Sequence, residues 1–167
     1  MTTSLEYRAV AALRVFLVVL FGVLVVFQTL SLPGQFAHMA NESPEDAHLR
    51  WPLTAIFVFW VLCIQVVIVA TWKLLTLVKH DRIFTQASLR WVDAIVWAVG
   101  AAWLLLASLA AYLVAVIYFT PELRDPGTPI LLTGLVLIGG VVVLTIVVLR
   151  ALLRQATVLR TDLEDVI

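Results

Sequence analysis

Four uninterrupted apolar runs constrain this chain more than any motif in it. They cover about residues 9–32, 52–78, 92–119 and 130–149. Crossing about 30 Å of hydrocarbon takes about 20 apolar residues in a helix, and each run is long enough. The charges inside them are Arg14, Lys73 and Asp93, each towards an end of its run. Lipid offers no partner to a backbone amide, so a spanning segment must close its hydrogen bonds within itself. Each run is therefore expected to be a helix. The many valines and isoleucines do not argue for strands. The runs exceed ordinary strand length, and polar and apolar residues do not alternate as a barrel would need. The expected fold is all-α, an integral membrane four-helix bundle, with 1–167 as one transmembrane domain.

Composition agrees. The chain has 167 residues, 63% hydrophobic and 13% charged, with mean hydropathy +1.07. A soluble domain is typically about half apolar and about a quarter charged. Lipid is the simplest solvent for the excess, so the bilayer is the first expected partner. Formal net charge is zero, and no direct nucleic-acid binding is expected from it. The single cysteine, Cys63, lies inside the second run and reads as a packing residue. The first run reads as a retained helix. Its apolar core outlasts a signal peptide's, and "SLPGQFAHMANES" offers no clean cleavage site. The punctuated segments "LPGQFAHMANESPEDAHLRWP" and "TPELRDPGTP" read as turns or short irregular loops.

Lysine and arginine give the orientation. Arg8, Arg14, Lys73, Lys79, Arg82, Arg90, Arg150, Arg154 and Arg160 fall on one side, against Arg50 and Arg124 on the other. The positive-inside bias puts both termini and the 79–91 loop in the cytoplasm. A short cytoplasmic interfacial segment then joins spans two and three, its cations drawn to the anionic leaflet. Thr85 is placed to cap a helix beginning at Gln86, with Phe84 stapling onto Leu89. Asp93 falls about two turns into that helix. A carboxylate at the hydrocarbon edge needs a partner, and the candidates are Arg90, Arg14, Arg150 and Arg154. A structural ion pair that fixes helix register is expected there, with a proton or ion site as the rival.

Little else carries chemistry. Mid-span polar residues are few, and Gln65, near the centre of the second span, is expected to hydrogen-bond across a helix interface. His38, Glu42, Glu45, Asp46 and His48 have metal-capable atoms, but their spacing matches no metal site. There is no HExxH, no GxSxG and no phosphate-cradling glycine loop. No catalytic, cofactor-binding or metal residue is assigned, and no cofactor is expected. Packing is better signalled. Ala94, Ala98 and Ala102, then Ala107, Ala111 and Ala115, recur every four residues, while Gly134, Gly139 and Gly140 mark the fourth span. Small residues let helices approach closely, within one chain or in a homo-oligomer.

The segment 150–167 reads as a cytoplasmic amphipathic tail. Leu152, Leu153, Ala156, Leu159, Leu163 and Val166 recur at spacings of three and four. "DRIF" followed by "ASLRWVD", together with "LRQATVLRTDLEDVI", resembles the bacterial four-span membrane proteins grouped as domain of unknown function 2975. The family usually has glycine before Arg-Ile-Phe, and Asp81 stands there instead, a departure that affects the turn. The resemblance carries no established activity. Its members are often encoded beside a small helix-turn-helix regulator of the Cro type. By that association it implies a cytoplasmic regulator as partner, met by the matching positions Arg82, Ile83, Phe84, Arg160, Asp162, Leu163 and Glu164. The expectation is a non-enzymatic membrane protein that binds or sequesters such a regulator. The alternative is a small transporter, channel or permease subunit.

Overall fold

In a computed structural model the described backbone comprises residues 2–42, 48, 50–79, 86–120 and 127–164; within it, the side chains of 2–7, 39–42, 79 and 160–164 are outside the description. All the described residues but Thr120 are helical, with no strand among them. Four helices are long and apolar enough to cross a membrane. The chain divides into two compact units, Met1–His80 and Asp81–Ile167. In both, the large side chains turn outward. Phe16, Leu104 and Leu144 are exposed, whereas the buried residues are mainly small or medium ones such as Cys63, Ala70, Ala98 and Ala110. That inversion is what lipid, rather than water, permits.

In the first unit α1 spans Thr2–Val26, α2 spans Leu32–Glu42 and α3 spans Arg50–Lys79. Helices α1 and α3 run antiparallel. Near one end Arg14 reaches across and donates from Nη2 to the Leu75 carbonyl at 3.2 Å. Its Nε is buried with no hydrogen-bond partner among the described residues. Farther along, the Phe36 and Phe57 rings meet at 5.6 Å between centroids, and Trp60 stands edge-on to Phe57 at 5.8 Å.

The first helix corrects an expectation. The span was read as ending near Leu32, with a loop beginning at Pro33. Instead a π turn, Phe27–Ser31, joins α1 to α2, and the chain stays helical through Pro33 and Gly34 to Glu42. Proline lacks an N–H, and its ring collides with the carbonyl four residues back, which breaks or kinks an ordinary helix. The wide turn just before it changes the hydrogen-bond register, so that the Leu32 N–H donates to the Phe27 carbonyl, five residues back. Thr29 Oγ1 donates to the Val25 carbonyl at 2.8 Å and lies 3.4 Å from that of Val26. The helix thus passes its proline, and Leu32, directly before it, is 1% exposed. Pro33→Ala supplies the missing N–H. The expected result is slower hydrogen exchange over residues 27–33 as the turn tightens to α pitch. Unchanged exchange would mean that contacts with α3 hold the wide turn open.

In the second unit α4 spans Gln86–Phe119 and α5 spans Gly127–Glu164. At 34 and 38 residues they are roughly 51 and 57 Å long, well beyond the hydrocarbon thickness. Both must continue into a polar zone. Helix α5 opens with Pro129 in its first turn, where a missing N–H costs nothing. The two helices pack antiparallel. At their middle the Trp103 indole lies over Gly139 and Gly140, and its Nε1–H donates to the Val136 carbonyl at 2.9 Å. An indole N–H in hydrocarbon needs an acceptor, and glycine lets the ring come close enough to reach one. Gly134 has open space where its side chain would be, so it takes no part in this contact.

Candidate functional site

The polar ends of α4 and α5 line a half-open cavity of about 610 Å³. Helix α4 contributes Gln86, Leu89, Arg90 and Asp93. Helix α5 contributes Arg150, Arg154, Thr157 and Val158. Helical spacing explains the grouping. Positions 86, 90 and 93 share one face of α4, as 150, 154 and 157 do on α5. Antiparallel packing then sets the two charged faces opposite each other, one above the apolar stretch that ends at Leu149.

Within the cavity Arg150 Nε donates to Asp93 Oδ1 at 2.5 Å, and about two fifths of each side chain is exposed. Of the four candidate partners for Asp93, Arg150 is the one in contact. Arg90 and Arg154 line the same cavity without pairing to Asp93. Arg14 is engaged in the other unit, on the Leu75 carbonyl. Among the described residues the cavity therefore gathers three guanidinium groups and one carboxylate. Ser88 and Thr157 are buried nearby in sequence, at 0% and 4% exposure.

The remaining expectations divide by where they fall. Helix α4 does begin at Gln86, whereas Thr85 and Phe84, its proposed cap and staple, lie outside the described residues, as do Arg82 and Ile83 of the family-like motif. At the other end of the chain the backbone of Arg160, Asp162, Leu163 and Glu164 belongs to α5, and their side chains are outside the description. Gln65 is buried at 8% exposure, but its amide makes no hydrogen bond across the helix interface among the described residues, contrary to the expectation. Glu45 and Asp46 lie outside the described residues. Among those described, no three His, Cys, Asp or Glu side chains gather as metal ligands. Cys63 is a buried free thiol.

Sequence reasoning missed the cavity itself and the Trp103 slot. The signal for the first was present: Arg90, Arg150 and Arg154 were each singled out, but as rivals for Asp93 rather than as joint walls. For the second, a tryptophan at mid-span, away from the interface where indoles concentrate, was the available sign.

Four membrane-length helices, with charge confined to their ends, define a multi-pass α-helical membrane protein. The chain belongs to the family described as "Protein of unknown function (DUF2975)", which matches residues 34–167. No curated protein and no solved structure matches it.

Proposed function

We propose that this is a non-enzymatic protein of the bacterial inner membrane, with both termini cytoplasmic, that binds or sequesters a small helix-turn-helix transcriptional regulator. The supporting observation is the continuity of α5. It runs from Gly127 to Glu164 as one helix and extends roughly 20 Å beyond Arg150. On that extension Leu152 and Leu159 are each more than half exposed. An amphipathic helix projecting from a membrane, with apolar side chains uncovered past the charged edge, is suited to a protein groove. The distribution of lysine and arginine supports the orientation. Family resemblance supplies the kind of partner, with Arg160, Asp162, Leu163 and Glu164 at the end of the helix, and Arg82, Ile83 and Phe84 in the connecting segment, as the matching positions. No direct contact of the chain with nucleic acid is part of this reading.

The test uses full-length protein in nanodiscs and a purified small helix-turn-helix regulator of the Cro type. Saturable binding is expected, and deletion of residues 155–167 is expected to abolish it while the helical circular dichroism of the remainder persists. Binding that survives the deletion would remove the tail from the proposal. If the regulator does not bind and proteoliposomes show solute or ion flux, the transporter, channel or permease reading replaces it. Single-cysteine labelling at residues 3 and 166 checks the orientation: both should react only from the cytoplasmic side.

A further inference from the structure

The cavity between the polar ends of α4 and α5 holds more positive charge than the described residues neutralise. Arg90, Arg150 and Arg154 line it, and Asp93 is the one carboxylate among the described residues that do. Asp93 Oδ1 accepts from Arg150 Nε at 2.5 Å, which occupies one edge of one guanidinium. Among the described residues, neither Arg90 nor Arg154 has an ion pair or a hydrogen bond through its guanidinium. Arg150 and Arg154 are four apart on one helix face, a spacing at which like charges repel. The first turn of α4 carries no acidic residue, so the positive end of its dipole adds to the same field. Arg90 and Arg154 are exposed to solvent, and three cations facing one space at the edge of a low-dielectric layer favour an anion there.

The cavity's chemistry narrows the choice. Guanidinium forks match the paired oxygens of a phosphoryl group better than they match a halide. A volume of about 610 Å³ is far more than one water or a small ion fills, and leaves room for a substituent on the phosphate. Leu89 and Val158 give the space an apolar side. One turn deeper along the same face of α4, Trp97 is 77% exposed. Apolar surface thus continues from the arginines towards the hydrocarbon, as a ligand with a charged head and an oily body would use it.

We propose that this cavity binds a phosphate ester of net negative charge through Arg90, Arg150 and Arg154, with Asp93 holding Arg150 in place. An anionic phospholipid headgroup and a soluble phosphate monoester share that chemistry, and the apolar continuation favours the lipid. The site requires that α4 and α5 cross a bilayer. It stands whether or not a regulator binds the tail.

Native mass spectrometry of the full-length protein in detergent tests this, with phosphatidylglycerol and phosphatidylcholine as probes and glycerol 3-phosphate as competitor. A single phosphatidylglycerol adduct is expected, held at least about tenfold more tightly than phosphatidylcholine, the factor for one charge-assisted hydrogen bond. The double variant Arg90→Gln/Arg154→Gln should lose that preference, while Arg50→Gln, in the other unit, keeps it. Arg90→Lys/Arg154→Lys should bind more weakly than the native chain, since an ammonium is a point charge without the fork. Phosphatidylglycerol retention that glycerol 3-phosphate does not displace supports the site with lipid as the source. Displacement at comparable concentration supports it with a soluble ester. Equal retention of both lipids by the native protein overturns the proposal, as does unchanged preference in a folded glutamine variant. Should the glutamine variant not fold, the lysine variant decides: native affinity there would overturn the forked site.

Discussion

Gly139→Val is expected to force α4 and α5 apart at the middle of the second unit. A Cβ at residue 139 would lie 2.7 Å from Trp103 Cδ1 and 3.3 Å from its Nε1. Those are ring atoms near the base of the side chain, not the end of a flexible one. The ring is also anchored by its 2.9 Å hydrogen bond to the Val136 carbonyl. To make room, the indole must give up that acceptor in a setting where no water replaces it. Overpacking of this kind costs about 1–3 kcal/mol, and the interhelical hydrogen bond adds about 1 kcal/mol. The neighbouring glycines provide controls. At Gly140 the nearest approach would be 3.5 Å, and at Gly134 nothing lies within 4 Å. Reversible unfolding in mixed micelles should rank Gly139→Val far below Gly140→Ala, with Gly134→Ala near or above the native stability because alanine favours a helix. Equal losses at Gly134 and Gly139 would show that the slot does not hold the helices together.

Reversing the charge of Asp93 is expected to be the second severe change. Asp93→Arg leaves the described lining of the cavity with four cations and no carboxylate, at the edge of a low-dielectric region where Coulomb terms are large. Folded protein recovered from membranes should fall steeply. Arg150→Asp alone sets two carboxylates against each other and should also reduce the yield. Combining the two, Asp93→Arg with Arg150→Asp, restores opposite charges across the same contact and should recover most of the folded material. Rescue by the swap distinguishes a register-setting pair from two residues that each matter separately. Asp93→Asn separates the structural reading from the rival proton or ion site. It should weaken folding on the first and leave folding intact on the second.

Much of this architecture was legible because lipid imposes it. The four spans follow from unbroken apolar length. The start of α4 at Gln86 is read from Thr85 as a cap with Phe84 as its staple, two residues that lie outside the described ones, and the passage of α5 into the tail follows from leucines at helical spacing beyond Arg150. Side faces were not legible. In water a helix advertises its buried face by its polar one, but here α1, α3, α4 and α5 are apolar nearly all round, so sequence alone does not say which side meets a neighbour. Trp103 therefore went unnoticed, since its acceptor lies 33 residues away and nothing local points to it. Pro33 misled for another reason. Reading proline as a stop assumes α geometry on both sides, and a π turn removes that assumption. Asp93 was narrowed to a few cations because edge charges are rare, but choosing Arg150 needed the antiparallel register of α4 and α5.

The unbroken length of α5 has a mechanical consequence. Gly140 sits at mid-span and Glu164 at the far tip of the same rod, roughly 36 Å away, with no proline between them. A stiff rod is a lever. Whatever leans on its outer arm, or lets go of it, delivers torque to the indole seated on its inner arm.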